Sequence, residues 1–182
     1  TDCVLHVEDN VKLSVQDIAA LHSAWIQNPN VHVGLNPLFI QVPSVTEDES
    51  QWSAHKVDPL SLAAAYNSMQ LNASLLHADW LQLFSRLDSE ITIPRHGSST
   101  CEQVFISFVV ARYSQTPPLV VIRQGHVGKG ELRGAELAAV NSSAGLLDLM
   151  GALKECGHAA LKHFLGNPLL RSTARVFNEL PF

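Results

Sequence analysis

Hydrophobic and polar residues recur along the start of the chain with two different periods. Residues 3–7 alternate as in a short β-strand. A helical repeat comes next, beginning after Ser14 and ending at Asn28. Ser14 is a typical N-cap residue, and Asp17 lies near the positive end of the helix. Residues 31–42 have the pattern of extended segments. The opening of the chain therefore predicts strand, helix, strand.

The middle of the chain contains a polar stretch and two further helical repeats. Residues 43–53 are polar and acidic, which predicts an exposed loop. Asp58 before a proline favours a helix start, and apolar residues at helical spacing continue to Met69. Another helix is expected from about residue 73 or 77 to residue 87.

The second half of the chain begins with β-like composition and ends with helical patterns. Residues 103–111 and 119–123 are rich in β-branched and aromatic residues, and prolines separate them, so we expect two strands paired as an antiparallel hairpin. Helices are expected at 132–142, 145–165 and 168–178. These patterns predict an α+β fold class: a single domain over 1–182, with a small antiparallel β-sheet or sandwich flanked by helices and a helical C-terminal third.

Composition narrows the classes of function. The 182 residues are 46% hydrophobic and 16% charged, with a formal net charge of −5. An acidic balance with no Lys/Arg run argues against nucleic acid or an anionic membrane as the main partner. No apolar stretch approaches the ~18–20 residues that span a bilayer. We therefore expect a protein substrate, no nucleic acid and no membrane span; the oligomeric state stays open.

Nine histidines and three cysteines stand out in the composition. The cysteines lie at 3, 101 and 156, an odd number with no repeated spacing, which is not a disulfide framework. We expect three free thiols, with one bridge and a leftover thiol as the alternative. Free thiols favour a reducing compartment as the place of action.

Cys101 and His126 are the candidate catalytic pair. Cys101 comes after the small-residue loop 97–100 and precedes a strand, so nearby backbone N–H groups could lower the pKa of its thiol and hold an oxyanion. In the expected hairpin, the end of the second strand returns to the start of the first and brings His126 beside Cys101. A cysteine and a histidine within hydrogen-bond reach are the minimum for thiolate catalysis.

The run Gly97-Ser98-Ser99-Thr100-Cys101, the apolar segment ending in Val-Ala-Arg at Arg112, and His126-Val127-Gly128 resemble the catalytic core of cytotoxic-necrotizing-factor-type toxins. Those bacterial glutamine deamidases share a fold group with the chemoreceptor glutamine deamidases and the laccase-domain proteins. The resemblance covers residues 95–130. The chain departs from the toxin motif at Thr100, where the toxins have glycine, and its interval from Cys to His is longer.

The resemblance implies a cysteine hydrolase that deamidates a glutamine of a protein, as a secreted bacterial effector or toxin delivered to a host cytoplasm. Cys101 would attack the side-chain amide carbon, and His126 would move the proton to the leaving ammonia. The third member of the site differs across such families, and Thr92, with His96 as the other candidate, is considered for it because it lies close in sequence. The oxyanion and substrate loop would comprise Ser99, Thr100 and His96. No metal or cofactor is expected.

Several alternatives stay open at this point. The same pair could perform transglutamination or cleave a peptide bond. A zinc site is less favoured, because the Cys and His residues around 156–163 lack the i,i+3 or i,i+4 spacing of ligands on one helix face, apart from Glu155 and His158. The rival from another class is a non-catalytic binding module, an adaptor or chaperone with a structural Cys101, which would bind a partner through the apolar helix 146–165.

Overall fold

A computed structural model of the chain describes residues 2–9, 11–43, 52–61, 63–90, 99–123 and 156–178. The strands are β1 (Cys3–Val7), β2 (Val33–Gly34), β3 (Pro37–Gln41), β4 (Ser53–Lys56), β5 (Ser68–Met69), β6 (Ala73–His77), β7 (Leu119–Arg123) and β8 (Arg175–Asn178). The helices are α1 (Val15–Gln27), α2 (Ala78–Glu90) and α3 (Ser99–Ser114), and residues 156–163 are also helical.

The larger sheet has five strands in the order β1-β6-β2-β7-β8. β1 and β2 both pair antiparallel with β6, whereas β7 pairs parallel with β2 and β8 pairs parallel with β7. Four of the five strands therefore run in one direction, and only β6 runs against them. The carboxyl ends of β1, β2, β7 and β8 consequently meet at one edge of the sheet.

Helix α1 covers one face of this sheet. Its start is fixed by a capping box: the backbone N–H of Asp17 donates to Ser14 Oγ over 3.1 Å, and the N–H of Ser14 donates to Asp17 Oδ2 over 2.8 Å. The apolar side of α1 packs on alternate strand residues in a buried cluster that contains Leu21, Trp25, Val33, Leu75 and Val121. The strand at 3–7, the Ser14 cap and the helix end at Asn28 are confirmed.

The second, three-stranded sheet has the order β4-β3-β5, and both pairings are antiparallel. The buried side chain of Asn67 extends it, since Oδ1 accepts from the N–H of Ile40 and Nδ2 donates to the carbonyl of Ile40, each over 2.8 Å. The side-chain amide of Asn67 thus takes the place of a neighbouring strand, because it provides the hydrogen-bond partners of the Ile40 backbone groups.

Helix α3 lies in the middle of the molecule. Its residues pack against the three-stranded sheet and against the helical segment 156–163 on one side, and against β6 and α2 on the other. Cys101 in its first turn forms a disulfide with Cys156. Cys101 and the whole run from Gln103 to Ala111 are buried.

The hairpin expected over 103–111 and 119–123 is wrong. The first of these segments belongs to α3, and β7 pairs with β2 and β8 instead. A helix buried on all sides carries no helical repeat of polar residues, so its β-branched and aromatic composition looks like that of a buried strand. Tertiary burial overrides the local β propensity of this segment.

Other expected elements also differ from the structure. Asp58 caps only a tight turn, in which the N–H of Leu60 donates to Asp58 Oδ1 over 2.9 Å, and the chain continues to β5 rather than into a helix. The helix expected at 168–178 does not form: 168–174 contain no helix, and 175–178 form β8. Trp52, expected in an exposed loop, is buried. The helix expected at 132–142 and the first part, 145–155, of the helix expected at 145–165 lie outside the described residues, whereas 156–163 are helical as expected.

The α+β class is confirmed, with a mixed five-stranded sheet rather than a purely antiparallel one. Within the described ranges, none of the helices is both long and apolar enough to cross a bilayer.

Candidate functional site at the carboxyl edge of the sheet

Polar side chains gather where the parallel strands of the larger sheet end. Glu8 and Asp9 come directly after β1, and Asn36 comes two residues after β2. Because β6 runs in the opposite direction, its start at Ala73 lies at the same edge, and Asn72 immediately precedes it. In open α/β sheets, ligands bind outside the carboxyl ends of the strands, so this edge is the candidate site.

Three side-chain amides form a connected set at this edge. Asn36 Nδ2 donates to Asn72 Oδ1 over 2.9 Å, and Asn72 Nδ2 donates to Gln70 Oε1 over 3.0 Å. The backbone takes the same path, since the N–H of Gln70 donates to the carbonyl of Asn36 and the N–H of Glu8 donates to that of Asn72. These bonds hold the end of β1, the end of β2 and the start of β6 in one fixed arrangement.

Charge at the edge comes from the two consecutive carboxylates. The side chain of Glu8 is half-buried and that of Asp9 is exposed. Lys56, at the end of β4, lies within electrostatic reach: burial lowers the pKa of its ammonium group, and the negative charge of Glu8 opposes that shift. The edge therefore presents the carboxylates of Glu8 and Asp9, with the ammonium group of Lys56 within electrostatic reach of Glu8.

The face of the sheet opposite α1 contains two buried polar side chains: Ser74 near the start of β6, and His32 directly before β2, at the other end of that strand from the candidate edge. His32 is fully buried and burial lowers its pKa to about 3, with the neighbouring His6 as a smaller cause. The Nε2 atom of His32 and the Oγ atom of Ser74 are buried without a hydrogen-bond partner among the described residues. His6 Nδ1 donates to the carbonyl of Leu71 over 2.6 Å, which fixes the tautomer of that ring.

Metal binding by protein side chains alone has no support in the structure. Nowhere in the described segments do three or more His, Cys, Asp or Glu side chains form a group that could hold an ion. Glu155, one of the two residues weighed for zinc, lies outside those segments.

The hairpin that was expected to assemble the cysteine site is absent, and only part of the predicted site lies among the described residues. Cys101 is only 3% exposed and its Sγ is bonded to that of Cys156, so it carries no thiol in this state. Ser99 and Thr100 form the first turn of α3 rather than a loop before a strand. His126, Thr92 and His96 lie outside the described residues. The hairpin that placed His126 beside Cys101 does not form.

Comparison with known proteins identifies the family. The family model of the "Glycosyl transferase family 64 domain" matches residues 1–182. Exostosin-like 2 of Mus musculus is 22% identical over 124 residues, which cover 68% of this chain and 37% of that protein. Exostosin-like 2 of Homo sapiens is 22% identical over 117 residues, or 62% of this chain and 34% of that protein. The matched part therefore spans about a third of the length of these relatives.

A sheet in which most strands run in one direction, with polar side chains at its carboxyl edge, is typical of proteins that bind a ligand at the ends of their strands. Within that class, the chain belongs to glycosyl transferase family 64. The resemblance to cysteine deamidases is therefore wrong, and with it the expectations of a hydrolase, a toxin and a glutamine substrate. The rival interpretation as an adaptor or chaperone is not supported either.

The expected compartment is corrected together with the family. The expectation of a reducing host cytoplasm rested on three free thiols, but the structure contains one disulfide, and only Cys3 is a free cysteine among the described residues. Disulfides form and persist in oxidising environments. A bacterial effector is also inconsistent with a glycosyl transferase family whose matched relatives come from mouse and human.

Glu8 and Asp9 are functional candidates that the sequence did not single out, because two adjacent carboxylates after a strand are also typical of an exposed loop. A signal was nevertheless present: an apolar strand at 3–7, then two carboxylates, then a helix cap at Ser14. That order of strand, acidic residues and helix is typical of a ligand-binding strand end in an α/β sheet. The partners at Asn36 and Asn72 could not be found in this way, because the pairing of β2 with β6 brings them together.

Proposed function

We propose that this chain provides the donor-binding sheet of a glycosyltransferase, which moves a glycosyl group from an activated sugar donor to a hydroxyl of an acceptor. The observation that carries the proposal is the position of Glu8 and Asp9 at the carboxyl edge of the sheet, in a chain that matches the family over 1–182. Because the chain spans about a third of its relatives, the reaction is attributed to the protein that contains it.

The chemistry of glycosyl transfer suits the charges at this edge. The bond from the sugar to its leaving group breaks as the bond to the acceptor oxygen forms, and the acceptor loses a proton. A phosphate or diphosphate leaving group gains negative charge in that step and must be stabilised by positive groups. Lys56 provides one such group next to Glu8.

Glu8 and Asp9 would act through a divalent cation. Mg²⁺ is commonly held by one or two carboxylates together with substrate phosphates, so two adjacent carboxylates fit this requirement without a larger protein cage. When bound, the cation would neutralise the charge of the leaving group. The two carboxylates would hold and orient it, and the amides of Asn36, Gln70 and Asn72 keep the strand ends in place beneath them.

Activity of the complete protein with a panel of nucleoside diphosphate sugars tests the proposal. The measured quantity is the nucleoside diphosphate released in the presence of Mg²⁺ or Mn²⁺ and saccharide acceptors. We expect Glu8→Gln and Asp9→Asn to lower kcat/KM by about 100-fold or more, because each removes a carboxylate that would hold the cation opposite the leaving group. Asp79→Asn is the matched control, since this exposed carboxylate lies at the start of α2, at the opposite edge of the sheet.

Two results would contradict the proposal. One is the absence of release from every donor by a folded protein. The other is a rate of nucleoside diphosphate release that is as high in Glu8→Gln and in Asp9→Asn as it is in the Asp79→Asn control.

A further inference from the structure

The turn after the helical segment 156–163 has a leucine at a position where glycine is usual. Leu165 has a φ of 56°, in the left-handed region that strains the backbone of any residue with a bulky side chain. The N–H of Gly166 donates to the carbonyl of Leu161 over 2.9 Å, which closes a Schellman motif with Leu165 at its left-handed position. The glycine of this segment comes one residue too late to relieve that strain.

The side chain of Leu165 is not buried by the fold. It is 89% exposed, more than any other large apolar side chain among the described residues. Phe164 before it and Leu169 after it are both buried in the apolar cluster that contains Leu161, so the turn projects from one side of that cluster. Leu170, directly after the second of these residues, is 40% exposed. A strained residue whose side chain is left in water points to a function at this turn.

Positively charged side chains flank the turn. Lys162 and His163 precede it and are exposed. Arg171 follows it, also exposed, with its guanidinium 5.2 Å from the centre of the Phe39 ring. The segment 156–178 contains no Asp or Glu, although the whole chain has a net charge of −5. The acidic residues of the chain therefore lie outside this segment, and the turn carries a locally basic and apolar surface.

We propose that this surface, formed by Lys162, His163, Leu165, Leu170 and Arg171, docks the protein on an anionic phospholipid bilayer. Leu165 enters the boundary between the head groups and the acyl chains, and Lys162 and Arg171 lie against the negatively charged head groups. The contact is peripheral and needs no spanning segment. The proposal does not depend on the glycosyl transfer proposed above.

An anionic bilayer fits this surface better than an acidic protein or a polyanionic saccharide. A bilayer uses both of its features, because an apolar tip with flanking cations enters the interface without a matching pocket. A saccharide chain would leave the side chain of Leu165 in water. A protein partner would need a larger contact, since five residues are far fewer than the ~20–30 on each side of a standard protein interface.

Sedimentation of this chain with lipid vesicles tests the charge component. Vesicles of phosphatidylcholine mixed with phosphatidylserine are compared with vesicles of phosphatidylcholine alone, and we expect binding only to the mixed vesicles. Lys162→Gln and Arg171→Gln should each lower the partition constant about fivefold, which is the effect of one cationic side chain near an anionic surface. Lys12→Gln is the matched control, since this lysine is exposed outside the proposed surface.

Leu165→Gly tests the apolar component and separates it from folding. Glycine adopts the left-handed backbone without strain, so the Tm of the variant should not fall. Its partition constant for the mixed vesicles should fall by about tenfold, because no apolar side chain leaves water on binding. Ile26→Asn is the control, since this apolar residue is 59% exposed on α1, and it should bind the vesicles as the wild type does.

Several results would overturn the proposal. These are no sedimentation with either kind of vesicle, equal sedimentation with and without phosphatidylserine, and binding of Leu165→Gly as tight as that of Ile26→Asn. A soluble poly-glutamate peptide provides the remaining comparison. If the chain bound this peptide but no vesicles, and Lys162→Gln and Arg171→Gln weakened that binding, the surface would belong to an acidic protein partner and not to a bilayer.

Discussion

Cys101 in the first turn of α3 and Cys156 at the start of the helical segment 156–163 are joined by a disulfide, and both residues are buried in the same apolar cluster. The two cysteines are 55 residues apart in sequence. The bond therefore closes a long loop of the chain onto the central helix, in the cluster that also contains Trp52 and Phe105.

Removal of this disulfide is expected to destabilise the fold strongly. A cross-link over a loop of this length removes chain entropy from the unfolded state that is worth about 4 kcal/mol in the loop-closure estimate. Urea unfolding of the Cys101→Ala, Cys156→Ala double variant should show a loss of that order, whereas Cys3→Ala should change little. A double variant as stable as the wild type would show that the bond is not formed in solution.

Gly157 is expected to tolerate no side chain. A Cβ placed there would lie 2.7 Å from Cζ2 of the Trp52 indole, which is too close for any carbon contact. Gly157→Ala should lower the free energy of unfolding by about 1–3 kcal/mol through overpacking, even though alanine favours helices more than glycine does.

A double-variant cycle separates the two effects at Gly157. In a Trp52→Leu background the indole is absent, so the alanine should cost much less there than in the wild type. An equal cost in both backgrounds would show that the contact with Trp52 is not the cause.

The burial of His32 is expected to make the fold less stable at acidic pH. Burial lowers its pKa from 6.5 to about 3, so the folded protein keeps this ring neutral while the unfolded chain takes up a proton below about pH 6.5. Protonation therefore favours unfolding, and the stability due to this group is complete above pH 6.5 and is lost as the pH falls toward 3. The full effect is on the order of 5 kcal/mol.

The measurement is the free energy of unfolding in urea between pH 4 and pH 8, for the wild type and for His32→Leu. The free energy of unfolding should depend less steeply on pH in the variant, by about the contribution of one titrating proton, whatever its stability at pH 7. Parallel curves for the two proteins would contradict the assignment. His22→Leu is the control, since that ring is exposed on α1.

Tyr66 connects three separate segments through its hydroxyl. The N–H of Val120 donates to Tyr66 Oη over 3.2 Å, Ser172 Oγ donates to it over 3.4 Å, and the hydroxyl itself donates to the carbonyl of Ala174. Tyr66→Phe leaves the buried N–H of Val120 without this acceptor, so we expect a loss of about 1–3 kcal/mol in the free energy of unfolding. Tyr113→Phe, at a half-exposed position on α3, is the matched control and should change little.

Local chemistry was enough to predict the first elements of the fold. The alternation at 3–7 predicted β1, and the pair Ser14 and Asp17, which closes the capping box, predicted the start of α1. The strand at 119–123 and the helical character around 156–163 were also predicted from composition and period. β1 carries its own signal in its alternation, and the two helices carry theirs in an apolar side opposite a polar side or in a distinct cap. β7 is buried on both faces and is marked instead by a short continuous run of apolar residues after Pro118.

The candidate site also has one feature that can be read from local sequence and another that depends on the order of the strands. The position of Glu8 and Asp9 after a strand can be read from neighbouring residues in the chain. Their proximity to Asn36 and Asn72 depends on β6 lying between β1 and β2, and no local pattern contains that order. The pairing expected between Cys101 and His126 likewise depended on strand order, and the hairpin on which it rested does not form.

By itself, then, the sequence determined the α+β class and the strand and helix cap of the opening βα unit. Only the tertiary structure decided that 101–111 is a helix, that Cys101 bonds to Cys156, and that one sheet edge collects the polar strand ends. The physical reason is burial: a helix surrounded by apolar neighbours has no polar side to set its period, and a disulfide or a strand order depends on contacts between residues far apart in the chain.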